Sequence, residues 1–144
     1  MRKYTLIIAL ASFCALLTIS SCKKYEEGPY LSFKSREDRI SNTWGIDRIY
    51  KNDEELTVTQ QEGWKWTFSK NGTISRRFFF MGILYIANGT WSLESDDEEI
   101  HITLTSPLYD EDSIWVITKL MEDKLWVKYS DNGDNYELRL TPRK

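Results

Sequence analysis

The sequence predicts an all-β domain, an eight-stranded antiparallel up-and-down barrel with a short N-terminal helix, and three observations point to it. From Thr43 almost to the C-terminus, apolar and polar residues alternate with a period of two, the pattern of strands buried on one face. Turn formers recur at short intervals, at Asn71-Gly72, Met81-Gly82, Ser95-Asp96-Asp97-Glu98 and Asp131-Asn132-Gly133-Asp134. No segment between them has the length and periodicity of a helical crossover, so neighbouring strands run antiparallel. A meander of this kind leaves two unpaired edges, and closing it into a barrel removes both. A two-sheet sandwich is the alternative. The six tryptophans favour the barrel, because each buries roughly 150–250 Å² and one curved interior can cover them all.

Taken in order, Ser35-Arg36-Glu37-Asp38-Arg39-Ile40 predicts a short helix, with the Ser35 hydroxyl accepting a backbone N–H near Asp38. Residues 43–50 form the first strand. In the next, Trp64, Trp66 and Phe68 share one face while Lys65, Thr67 and Ser69 take the other. Asn71-Gly72 readily adopts the positive φ angles of a type I′ turn, so residues 73–80 return antiparallel. Beyond Met81-Gly82, one face collects Tyr85, Ala87, Gly89, Trp91 and Leu93. The turn at residues 95–98 then leads to Ile100, Ile102 and Leu104. The Pro107 loop precedes residues 114–121, Glu122-Asp123 precedes residues 125–130, and the turn at 131–134 precedes residues 136–141.

A different kind of segment stands ahead of this domain. Arg2 and Lys3 precede an apolar run from Thr5 to Ile19 that closes on Ser20-Ser21-Cys22. Lys23-Lys24 ends it short of the ~20 residues a spanning helix needs. The run resembles a bacterial lipoprotein signal, in which two small residues admit a signal peptidase and the Cys22 thiol takes a diacylglycerol before cleavage after Ser21. An ordinary secretory signal or an uncleaved anchor is the alternative. On this resemblance residues 1–21 are signal peptide, 22–34 a tether and 35–144 the barrel domain. Cys14 falls in the removed segment, so Cys22 is the only cysteine of the mature chain and no internal disulfide forms.

The resemblance makes a membrane the first expected partner, through the lipid on Cys22. Each buried methylene is worth about 0.8 kcal/mol, one acyl chain holds reversibly, and two or three hold for good. Lys23, in place of the aspartate of inner-membrane retention, points to the outer membrane. Lys23-Lys24-Tyr25-Glu26-Glu27 resembles the lysine-then-acid surface-export signals of Bacteroidota lipoproteins and is equally a solvated tether, which leaves the leaflet open. Residues 23–34 reach at most about 40 Å, so the domain stays close to the bilayer.

After cleavage about 120 residues remain, enough for one core. Removing Arg2 and Lys3 takes the basic count from 19 to 17 against 22 acidic residues, a formal charge of −5. A chain of this balance lacks the cationic stripe that nucleic acid binding requires, so neither DNA nor RNA is an expected partner.

Several stretches together resemble the lipocalin-like outer-membrane lipoproteins of Bacteroidota, a family without one agreed function. They are Asn42-Thr43-Trp44, similar to a Gly-x-Trp opening with asparagine in place of glycine, the run from Trp64 to Thr73, Gly89-Thr90-Trp91-Ser92-Leu93 and Ile117-Thr118-Lys119-Leu120. Cys22 to Gly28 and Leu31-Ser32-Phe33-Lys34-Ser35-Arg36 resemble the leaders of such proteins. The resemblance implies a late arginine over the opening tryptophan, and Arg139 is the candidate, although alternation sets it opposite the face of Tyr136, Leu138 and Leu140. It also implies a binding or interaction module of the cell envelope. The occupant is a small hydrophobic ligand in the barrel, for which Trp66, Phe78, Phe80, Tyr85 and Trp91 are the candidate lining. The other reading is an accessory subunit of an outer-membrane complex, with a filled barrel and an envelope protein as partner.

Residues 78–86 are apolar on both faces of a predicted hairpin, which a half-exposed hairpin should not be. They form a lip that admits a ligand or docks on a partner or the membrane, unless residues 30–42 lie across them. Catalysis is not expected. His101 is the only histidine, alternation turns it outward, and no Gly-x-Ser-x-Gly elbow is present. A zinc site needs several His or Cys ligands. The acidic groups at 96–99 and 110–112, and Asp131-Asn132-Gly133-Asp134-Asn135, lack the spacing of a calcium loop and read as solvated turns. No metal or cofactor is expected.

Overall fold

The computed structural model describes residues 34–58 and 63–144. The expected signal peptide, lipidated Cys22 and nearly all of the tether lie outside the described residues. Helix α1 (Arg36–Ile40) precedes nine strands: β1 (Thr43–Lys51), β2 (Glu54–Leu56), β3 (Lys65–Phe68), β4 (Thr73–Phe80), β5 (Ile83–Glu94), β6 (Glu99–Thr105), β7 (Asp110–Leu120), β8 (Leu125–Asp131) and β9 (Asp134–Pro142). Each strand from β3 to β9 pairs antiparallel with the next. β1 pairs with β9 from Trp44↔Pro142 to Lys51↔Tyr136 and closes the sheet.

The wall is therefore an eight-stranded barrel, as the alternation predicts. The ninth strand is a division of the second. β3 pairs with β1 at Thr43–Gly45, β2 pairs with β1 at Ile49–Lys51, and both run antiparallel to it. They occupy successive positions along one side of β1, separated by residues 57–64.

One end of the barrel is filled. Trp44, Trp66, Phe68, Trp91 and Trp115 are buried there with Ile100, Ile102, Leu120, Leu125, Val127 and Leu140. Rings meet edge-on, Trp66–Trp115 at 5.9 Å and Phe68–Trp91 at 5.5 Å, the geometry that the ring quadrupoles favour. The sixth tryptophan departs from the expectation that the interior takes all six. Trp126 lies outside, with the Lys119 ammonium 4.2 Å and the Arg139 guanidinium 4.1 Å from its ring. Leu125-Trp126-Val127 is apolar on both faces, so alternation alone leaves its orientation undetermined. Arg139 is likewise outside, between Tyr50 and Trp126, and does not cover Trp44.

Helix α1 caps the filled end. Ser35 is its N-cap, accepting from the Asp38 N–H at 3.0 Å. Ile40 is fully buried and its carbonyl accepts from the Trp44 indole at 2.8 Å. Arg39 donates to the Leu120 carbonyl at 3.0 Å. Lys34–Glu122, Arg36–Asp97 and Lys70–Asp38 pin the helix segment to three separate turns of that end.

The Asn71-Gly72 turn differs from expectation. Only Gly72 has positive φ, and the Gly72 N–H donates to Ser69 O at 3.1 Å, so the loop holds three residues rather than two. The Asn71 side chain accepts from the Thr73 N–H at 3.1 Å and hydroxyl at 2.7 Å, which holds Asn71 outside the left-handed region. Type I′ geometry instead marks all three two-residue hairpins of the opposite end, at Asn52-Asp53, Met81-Gly82 and Asn132-Gly133.

At Gly89 the backbone of β6 comes too close to admit a side chain. A Cβ there would lie 1.7 Å from the Thr103 carbonyl oxygen on β6. Gly89→Ala is expected to lower stability by at least about 2 kcal/mol in urea unfolding, since backbone and not a flexible side chain must move.

Candidate ligand site

At the end opposite the helix the barrel opens. β7 pairs with β8 only from Val116↔Lys128 to Leu120↔Leu125, while Asp110–Trp115 pair with β6 alone. Tyr129, Ser130 and Asp131 pair with β9 alone. The two strands splay, and the upper lumen becomes a cavity of about 1620 Å³ that reaches Ile114 and Val116 on the side wall. Its polar centre is Arg76. Register places Arg76 inward between Trp66 and the buried Ala87, whose single methyl leaves room for the guanidinium.

The Arg76 guanidinium pairs with Glu111 at 2.9 Å, both side chains largely buried. Around it stand the rings of Trp64 at 4.5 Å, Trp66 at 5.1 Å, Phe78 at 5.5 Å and Tyr109 at 5.6 Å, all offering cation–π attraction. Ser113 donates to Glu111 at 2.9 Å and fixes the carboxylate. Across the splay, Trp115, Tyr129 and Tyr136 form a stack with centroid spacings of 5.8 and 5.2 Å. Burial pushes the Tyr129 hydroxyl up to about 12 and also raises Tyr109. Both phenols are therefore neutral donors at physiological pH.

The indole N–H groups of Trp64, Trp66 and Trp115 and the Nε–H of Arg76 are buried with no acceptor among the described residues, and all four side chains line the cavity. Such donors cost about 1–3 kcal/mol each when left unpaired. These N–H groups are sealed within the wall; a molecule whose faces cover the rings and whose acceptor meets the partly exposed Arg76 guanidinium suits the open space. The rim is acidic, with Asp53, Asp110 and Asp131 at the mouth. The field there disfavours a multiply charged anion.

Of the five residues expected to line the lumen, Trp66, Phe78 and Phe80 do. Tyr85 stands behind them, stacked on Phe78 at 5.8 Å. Trp91 does not reach the cavity. It belongs to the filled end, where its indole donates to Ser69 O at 2.9 Å beside the helix. Register explains this, since Trp91 lies four residues further along β5 than Ala87, the neighbour of Arg76.

Sequence reasoning missed Arg76 and Glu111. The signal was present in β4, where Ile74, Arg76 and Phe78 fall on one face and a charge interrupts the apolar row. Glu111 was hidden because Asp110-Glu111-Asp112 read as a solvated turn. β7 in fact begins at Asp110 and turns Glu111 inward.

His101 is outside the barrel, as alternation predicts, with Asp112 2.6 Å from Nε2 and Glu94 3.1 Å from Nδ1. Among the described residues no group of three or more His, Cys, Asp or Glu is arranged to hold a metal, and no helix is long and apolar enough to cross a membrane.

No family model matches the chain, and no curated protein matches it in sequence. Among solved structures, a redesigned beta barrel matches with a TM-score of 0.50 at 10% identity, covering 79% of this chain and 100% of its own. The likeness shows the fold. This chain is a β-barrel of the same kind, and the designed protein says nothing of a ligand.

Two measurements test the electrostatics. Glu111→Leu strands the Arg76 charge among rings and is expected to cost about 3 kcal/mol, whereas Arg76→Met with Glu111→Leu recovers most of it. Urea unfolding of the three proteins decides; equal losses in the single and double variants would mean the pair is not coupled. The hydrogen bond to Asp112 raises the His101 pKa above 6.5, Coulomb attraction to Asp112 and Glu94 adding to it against a desolvation cost. The associated stability is complete below the unfolded value of about 6.5 and is lost as pH rises through the higher folded one. An NMR titration is expected to show the raised value, falling back toward 6.5 in Asp112→Asn.

Proposed function

We propose that this protein is a lipid-anchored, lipocalin-like binding module of a bacterial outer membrane, and that its open-ended barrel takes a small ligand. The observation that carries the reading is the cavity around Arg76 and Glu111, where an ion pair is set in an aromatic wall. A wholly apolar guest would leave the guanidinium and its carboxylate partner dehydrated. The ligand is therefore amphipathic, with an apolar or flat body against Trp64, Trp115 and Tyr129 and an acceptor toward the Arg76 guanidinium. Binding without turnover is favoured by the position of His101, whose two ring nitrogens engage carboxylates on the outer wall. The anchor rests on the resemblance of the segment ending at Cys22 to a lipoprotein signal.

A second reading, an accessory subunit of an envelope complex, is favoured by the exposed apolar hairpin at residues 79–86. Native mass spectrometry of the protein extracted gently from its own membrane separates the two. The first reading expects a diacylglyceryl mass on Cys22 and a small-molecule adduct that disappears in Trp66→Ala. A stoichiometric protein partner with no small adduct favours the second, and an unmodified Cys22 overturns the anchor in both.

A further inference from the structure

The three type I′ hairpins around the mouth differ in one respect. Two carry the residues that left-handed backbone favours, Asn52-Asp53 and Asn132-Gly133, and the third carries Met81-Gly82, with Met81 at φ 50° and 87% exposed. Phe79, Phe80, Ile83, Leu84 and Ile86 around it are exposed as well. Residues 34–42 lie at the opposite end and leave this hairpin uncovered, so the described part of the segment expected to lie across it does not. One ring edge of Phe79 meets Gly63, where a Cβ would lie 2.7 Å away.

The hairpin also protrudes. β3 pairing stops at Lys65↔Arg77, and β6 pairing stops at Asn88↔Thr105. Phe78–Phe80 thus pair only with Ile83–Tyr85, and Ile86 and Ala87 pair only with Arg77 and Arg76 of β4. Phe79, Leu84 and Ile86 point outward, Phe80 and Ile83 point to the mouth, and Met81 caps the tip, so the projecting finger is apolar all round. A protein-docking patch is one-sided with a polar rim; an apolar finger without a polar side suits an isotropic apolar medium. Behind it on the outer face are Lys65 and Arg77, opposite each other, two cations at the depth where headgroup phosphates would sit. The other mouth turns carry Asp53, Asp131 and Asp134, which a lipid surface repels.

We propose that the β4–β5 finger dips into the lipid bilayer, a second membrane contact in addition to the acyl anchor. The proposal rests on the lipid-anchored reading for the identity of the bilayer. The chain from Cys22 to Lys34 spans up to about 40 Å. β5 is 12 residues long, about 40 Å along its own direction and about 30 Å along a barrel axis to which strands tilt. Anchor and finger can therefore reach one membrane with the barrel on its side. The unpaired outer edges of residues 78–80 and 83–87 confine insertion to the interface, since backbone groups need partners deeper in.

The test uses the mature acylated protein in vesicles of phosphatidylethanolamine and phosphatidylglycerol, at one protein per vesicle. Met81→Cys and, separately, Asn132→Cys carry an environment-sensitive fluorophore, and the lipid on Cys22 leaves no other thiol. The label at 81 is expected to shift to the blue and to be quenched by doxyl-labelled lipid several-fold more than the label at 132. Adding Phe79→Ser and Leu84→Ser is expected to abolish the difference while circular dichroism retains the fold. Equal, water-like emission at both positions overturns the proposal. Shielding at 81 without lipid quenching at one protein per vesicle overturns it in favour of cover by the protein's own chain, and shielding that appears only at many proteins per vesicle overturns it in favour of a second copy. A second fluorophore per chain and loss from the vesicles report instead that Cys22 is not acylated, a failure of the anchor and not of the finger.

Discussion

The barrel depends on β1. It pairs with β9 along its length on one side and with β3 and then β2 on the other, so a single strand converts a nine-strand ribbon with two edges into a closed wall. A bulge between Ile46 and Arg48 lets it do so. The extra residue turns Asp47 and Arg48 outward together and leaves Trp44, Ile46 and Ile49 all buried. Without that shift strict alternation would send Ile49 to solvent, and the closing seam would lose part of its core face.

Closure by itself does not decide whether the lumen is filled, and here the two ends differ. At the helix end large rings interlock edge-on, and the helix segment reaches three turns through charged side chains. At the mouth the β7–β8 ladder stops early and the second wall strand is divided into β2 and β3. The core thus fills one end and a cavity occupies the other. The mouth is still organised: Asn52 bonds both Asp134 Oδ1 and the Asn135 N–H, and Lys51 pairs with Asp134 at 2.7 Å, which raises the lysine and lowers the aspartate. Two of its three hairpins are laced together, and the third, the apolar finger, stands apart.

The Arg76–Glu111 pair lies where the core gives way to the cavity. An ion pair in such surroundings gives up hydration that its mutual attraction only partly offsets, and apolar residues of similar volume would stabilise the wall at least as well. Packing alone therefore does not account for it. Four rings around the guanidinium and Ser113 on the carboxylate hold both groups in fixed orientation. That preorganisation is what a small-molecule site requires of its few polar groups.

The alternation of residues such as Trp64, Trp66 and Phe68, together with glycine and asparagine at the turns, determined the strands, their antiparallel order and which faces are buried, because side-chain period and turn chemistry are local properties. It also determined that His101 faces out and that residues 78–86 are apolar on two sides. Tertiary structure alone decided where the β7–β8 ladder stops, which tryptophan lies outside, that Glu111 meets Arg76 across the lumen, and that Trp66 borders the cavity while Trp91 does not. Each of these depends on pairing length and register between strands distant in the chain. A one-residue bulge or an early strand start changes them without changing the local pattern from which the strands are read.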